Sequence, residues 1–132
     1  MSMVHDNRIL SYQVDFENEI LTLKTQYNTD EIHEKTDVIF TGYLTHIFYN
    51  ADKHSIIFDI EEYPLNSFLE NEYELLEEQK NYCWPINYET TNDLINYFQS
   101  NTYKVFSVAS SYGLYGYVLA KEMNVVVNKH TV

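Results

Sequence analysis

The chain has 132 residues, 45% of them hydrophobic and 16% aromatic, with only 3 Gly and 2 Pro and a formal charge of −12. This composition excludes a disordered or collagen-like chain, and the length suits one domain that buries about two-thirds of its unfolded surface without disulfides or metal. The charge disfavours direct binding to nucleic-acid phosphates or to anionic membrane, both of which depend on Lys and Arg.

The acidity is uneven: residues 1–54 carry −5, residues 55–79 carry −8 and residues 80–132 carry +1. Cys83 is the only cysteine, so no internal disulfide is possible, which fits a reducing compartment. The opening MSMVHDNRIL lacks an apolar run of signal-peptide length, and no stretch approaches about 18 consecutive apolar residues. A soluble cytoplasmic protein, one α+β domain over residues 1–132, is therefore expected, with residues 1–7 and 128–132 as loose termini.

In chain order, Ile9 to Phe16 alternates Leu10, Tyr12, Val14 and Phe16 against Ser11, Gln13 and Asp15, the pattern of a half-buried strand. Glu17-Asn18-Glu19 has hairpin length, with Asn18 suited to positive φ, and a second strand follows from Ile20 to Tyr27. Asn28 to Lys35 reads as a polar surface loop. Asp37 to Tyr49 is the longest strand signal, dense in β-branched and aromatic residues, with Gly42 marking a bulge or a close approach. The turn Asn50-Ala51-Asp52-Lys53 is expected to pair this strand with the next, Ile56 to Ile60, as a hairpin.

Pro64 ends that strand, and the period then switches from two to near 3.6. Leu65, Phe68, Leu69, Tyr73 and Leu76 share one stripe of a single expected helix, and Glu70, Glu74, Glu77 and Glu78 share the opposite one. From Ile56 to Gln79 there are eight carboxylates and no Lys or Arg. Tyr82-Cys83-Trp84-Pro85 is too aromatic for a free loop, so Trp84 is expected to pack on the sheet or a helix and Cys83 to be half-buried. Thr90 and Asp93 form a capping box for a second helix, from about Thr91 to Asn101. Tyr103 to Ala109 and Tyr115 to Val127 complete about six strands, mostly antiparallel, in the order β-β-β-β-α-α-β-β with both helices on one face.

The chemistry-bearing clusters are few. Asp30, Glu31, His33, Glu34 and Asp37 lack the spacing of an EF-hand or a zincin helix, so neither a metal nor any cofactor is expected. Ser110-Ser111-Tyr112-Gly113 joins two strands and lacks the spacing of a nucleophile elbow. His46, Asp59 and Glu61 could meet on a polar sheet face as a small-ligand or weakly enzymatic site, provided that the strands of His46 and Asp59 are neighbours. The acidic stripe is either a solvated helix face or a surface for a basic protein partner, since it lacks the interspersed Lys of i,i+4 pairing. A homodimer through a tyrosine-rich strand edge is compatible with either.

The elements Phe58-Asp59-Ile60-Glu61-Glu62-Tyr63-Pro64, Cys83-Trp84-Pro85 and Ser110-Ser111-Tyr112-Gly113-Leu114 punctuate the chain in the manner of a small bacterial domain. In size, acidity and α+β layout, most of the chain resembles the immunity proteins of bacterial polymorphic toxin systems. Those proteins bind and block a toxin, often a nuclease. The resemblance is one of type, assigns no residue, and implies a non-enzymatic binding protein.

Overall fold

A computed structural model describes residues 4–28 and 32–131, and contains eight strands and three α-helices. Strands β1 (Arg8–Asp15), β2 (Ile20–Asn28), β3 (Ile32–Thr41), β4 (Thr45–Tyr49) and β5 (Ile56–Tyr63) come first. Helices α1 (Leu65–Asn71), α2 (Tyr73–Gln79) and α3 (Thr91–Ser100) follow, and then β6 (Lys104–Tyr112), β7 (Tyr115–Ala120) and β8 (Glu122–Thr131). Every pairing is antiparallel, in the order β4-β7-β6-β5-β1-β2-β3-β8. The α+β class is as expected. The strand count is eight, not six, because two of the expected strands are broken.

The break lies at one place in space. Gly42 has φ +63, and a Cβ there would stand 2.7 Å from the Lys121 side chain. Glycine therefore lets β3 bend where it crosses the β7–β8 junction. Hydrogen bonds from Lys121 N to Thr41 O (3.0 Å) and from Leu44 N to Leu119 O (2.8 Å) carry the ladder across the bend. β3 and β4 thus run as one bent strand against β8 and β7, and the sheet folds into two four-stranded halves that meet at this corner. At the other corner β1 meets β5 only at Arg8↔Ile56 and then diverges.

This continuity also corrects the expected hairpin between β4 and β5. Because β4 extends β3, its partner is set by the long β7–β8 strand, and β4 pairs β7 from Thr45↔Leu119 to Tyr49↔Tyr115. β5 pairs β6 instead.

Two cores result. Between the half-sheets lie Leu21, Leu23, Val38, Phe40, Ile57, Ile60, Phe106, Val108 and Val118, with Phe40 and Phe106 in ring contact at 5.5 Å. The outer face of the β4-β7-β6-β5 half is covered by the helices: Phe68, Leu69, Leu76, Leu94 and Phe98 pack onto Ile47, Val105 and Leu119. α3 forms as its sequence requires. Thr90 Oγ1 accepts from Asp93 N, Asp93 Oδ2 accepts from Thr90 N, and Leu94 and Phe98 face inward.

The expected acidic helix is two short helices. Glu72, at φ −109 and ψ 22, interrupts it, although Glu72 N still reaches Phe68 O and Leu76 N reaches Glu72 O, both at 2.9 Å. The interruption turns Tyr73 out of the apolar stripe, leaving it 61% exposed, while Phe68, Leu69 and Leu76 remain buried. A β-bulge between Ile9 and Ser11 likewise takes Leu10 off the inner face of β1 and buries Ile9 in its place. The first hairpin places the positive φ on Glu19, because Asn18 is held by the Asp15 carboxylate through its N–H and its amide. Those bonds, the side-chain amide first, lower the Asp15 pKa.

Residues 4–7 and 128–131, expected to be loose, are packed or paired. Val4 is buried, Asp6 N donates to Ile57 O, and buried Asn7 donates to Thr25 Oγ1 at 3.0 Å. β8 continues to Thr131 against β3, so Ile32 to Lys35 are strand and not loop; Asp30 and Glu31 lie outside the described residues. Among the described residues no helix is long and apolar enough to cross a membrane.

Cys83 is exposed, at φ +57, rather than half-buried. Trp84 does pack onto the helix-side core, and its Nε1 donates to Thr45 Oγ1 at 2.9 Å. Its emission is accordingly expected to be blue-shifted and weakly quenched by acrylamide, a neutral quencher that the protein's charge does not repel. A red-shifted, freely quenched spectrum would detach this segment from β4.

Candidate functional site

The helical layer covers only part of its half-sheet, and the uncovered part is where the polar chemistry gathers. β7 turns Tyr115 and Tyr117 to this outer face, β4 adds Tyr49, and β5 adds Tyr63, as the register Tyr49↔Tyr115 and the alternation along each strand require. The rings contact in pairs, Tyr49 with Tyr115 at 5.3 Å and Tyr63 with Tyr117 at 5.5 Å. The helix break brings Glu72 over them. Tyr49 Oη donates to Glu72 Oε2 at 2.9 Å, and Asn71 Nδ2 donates to Tyr63 Oη at 2.7 Å.

Burial, then the hydrogen bond and charge of Glu72, push the Tyr49 phenol up to about 12. Burial also raises Tyr117, with the Asn71 bond opposing the shift. Both phenols are therefore neutral donors at physiological pH, far from the range of a general base. Beside Glu72 a cleft of ≈340 Å³ opens between Tyr115 and Tyr117, floored by the small residues Ser107, Ala109 and Gly116.

The predicted acidic residues Glu70, Glu74, Glu77 and Glu78 are all exposed, on α1 and α2. Among the described residues the carboxylates within 4.0 Å of a basic side chain are Asp6, beside the His5 ring, and Glu62, beside Lys104, so none of the four is neutralised by a cation. Glu70 and Glu77 rim an apolar cleft of ≈450 Å³ between α2 and α3, walled by Leu69, Leu76, Tyr88 and Leu94. Glu70, Glu74 and Glu78 also border a polar cleft of ≈480 Å³ that reaches Glu72 and Tyr49.

The alternative trio is not brought together. His46 lies on β4 and Asp59 on β5, with β7 and β6 between them, three ladder spacings or roughly 14 Å. They also point to opposite faces. His46 pairs with Val118 on the inner side, whereas Asp59 and Glu61 pair with Ala109 and Ser107 on the outer side. The His–Asp relay that adjacent strands would have made is therefore absent. Asp59 and Glu61 do flank the tyrosine cleft, next to its floor.

His46 belongs to an aromatic plug. Its Nδ1 is 2.7 Å from Tyr43 Oη, and the rings of Phe48 and Tyr12 lie 4.8 and 5.6 Å away. Burial lowers its pKa, so the imidazole is neutral near physiological pH. Among the described residues no three His, Cys, Asp or Glu side chains converge as a metal site.

Sequence reasoning missed Glu72 and the tyrosines around it. The alternation of Tyr115 and Tyr117 was visible, but their meeting with Tyr49 depends on the β4–β7 register, and Glu72 looks like any other carboxylate of the acidic run. Comparison with protein-family models, curated proteins and solved structures finds no match to this chain, so the clefts and their charges carry the functional reading.

Proposed function

We propose that this protein is a non-enzymatic binding module that docks a basic protein partner on its α1–α2 face, in the manner of the toxin-neutralising immunity proteins it resembles. The observation that supports this is the apolar cleft between α2 and α3 with Glu70 and Glu77 on its rim, beside Glu74 and Glu78, all exposed and none ion-paired among the described residues. An apolar patch framed by uncompensated charge of one sign suits a partner that presents apolar anchors among Lys and Arg. The carboxylates speed encounter through a field reaching about one Debye length, ~8 Å at physiological salt.

Reversing Glu70, Glu74, Glu77 and Glu78 to Lys is expected to leave folding nearly intact, because exposed charges contribute little to stability. Capture of the partner from native cytosol should nevertheless be abolished. On the captured partner, association should slow with rising salt while dissociation changes less. Equal recovery by wild type and the fourfold variant, or association insensitive to salt, would sink the acidic-face reading.

A further inference from the structure

We infer that the cleft beside Glu72 is a specificity pocket for a guanidinium group, an arginine side chain of the partner. The inference rests on the reading of a basic partner only for the source of that side chain; the cleft's own chemistry carries the rest. Tyr115 and Tyr117 line it, and its polar side chains are the Glu72 carboxylate, the two phenols and the Ser107 hydroxyl, while the Ser110 hydroxyl is spent on Gly113 O. Among the described residues no Lys, Arg or His lines it, and Lys104, at the start of β6, is occupied 3.5 Å from Glu62. Asp59 and Glu61 flank its floor, so the field at the site is negative from both sides. An anion is excluded on that ground.

Glu72 is not free to swing away. Tyr49 donates to Oε2, fixing the carboxylate and leaving Oε1 for an incoming donor. A guanidinium offers five N–H donors in a plane and no acceptor, and its flat face stacks on tyrosine rings. It matches a slot with a fixed carboxylate at one end, hydroxyls along it and aromatic walls better than an ammonium does, because an ammonium is more strongly hydrated and cannot stack. Small Ser107 and Ala109 on its floor keep the slot open, and larger side chains at those two positions would fill it.

Arginine amide, lysine amide and citrulline amide, the last a neutral isostere of arginine, are titrated into the full chain. The readouts are calorimetry and the tyrosine ring signals in nuclear magnetic resonance. Arginine amide is expected to bind and shift the signals of Tyr49, Tyr115 and Tyr117, lysine amide to bind more weakly, and citrulline amide to shift none of them. Glu72→Gln, which keeps an acceptor for Tyr49, should weaken arginine amide roughly tenfold, the equivalent of one charge-assisted hydrogen bond. Tyr115→Leu, at a 42% exposed position where folding is not at stake, should weaken it several-fold.

The fourfold Lys variant of the helix ridge separates this inference from the docking reading. It should lose partner capture and, because Glu70, Glu74 and Glu78 border the cleft that reaches Glu72, bind arginine amide more weakly, yet keep the preference for arginine over citrulline amide and the roughly tenfold loss on adding Glu72→Gln. Equal responses to arginine and citrulline amides, no response to either, or an unchanged affinity in Glu72→Gln would overturn the pocket. Partner capture that still failed in the fourfold variant would leave the docking face standing by itself.

Discussion

Truncating Phe68 to alanine is expected to destabilise the fold by roughly 3–5 kcal/mol, the range for a fully buried aromatic ring whose cavity cannot collapse. Phe68 is 0% exposed and meets the Tyr117 ring edge-on at 5.0 Å. α1 has only seven residues, too few to be stable as an isolated helix, and no side chain caps its N-terminus. Its position therefore depends on Phe68 and Leu69 in the second core. Glu74→Ala, on the exposed side of α2, should shift stability by less than about 0.5 kcal/mol. Urea midpoints of the two variants check the assignment: similar values would mean that the helices present the wrong face to the sheet. Because α1 leads directly into Glu72, Phe68→Ala should also loosen the tyrosine cleft and cost arginine-amide affinity even where the protein remains folded.

What was legible in the sequence was whatever depends on neighbours along the chain. The capping box at Thr90 and Asp93, the inward Phe68, Leu69 and Leu76, and the docking of Trp84 all follow from local chemistry and period. The α+β class followed because turns separate most of the strands. The β4–β5 pairing failed for a long-range reason. The turn after Tyr49 looks like a hairpin, but β4 is committed by its continuity with β3 to a partner more than sixty residues away, Tyr115–Ala120. The same non-local register separates His46 from Asp59 and assembles Tyr49, Tyr115 and Tyr117 around Glu72. Periodicity reports which face a residue takes within its own strand, and it is silent on which strand lies next door. The helix break at Glu72 was hidden for a related reason: neither Gly nor Pro marks it.

The second large effect is expected at Gly116, where alanine should cost at least ~3 kcal/mol, overpacking and positive-φ strain acting together. Gly116 sits at φ +152, and a Cβ built on it would stand 1.8 Å from Ile47 O and 3.1 Å from Phe48 Cα. These are backbone atoms of the paired strand, so no rotamer change relieves the clash. β4 would have to move away from β7, its sole ladder partner among the described residues, and β4 has only five residues with which to resist. The movement should be visible before global unfolding. Trp84 is bonded to Thr45 and Glu72 to Tyr49, both on β4, so Gly116→Ala should red-shift the tryptophan emission and lower arginine-amide affinity under native conditions. Ser111→Ala, at an exposed position near the end of β6, is the matched control and should stay within about 0.5 kcal/mol of wild type. A Gly116→Ala variant with the control's melting temperature and the wild-type emission spectrum would show that β4 and β7 do not approach as closely as this ladder requires, and the geometry argued for the tyrosine cleft would fall with it.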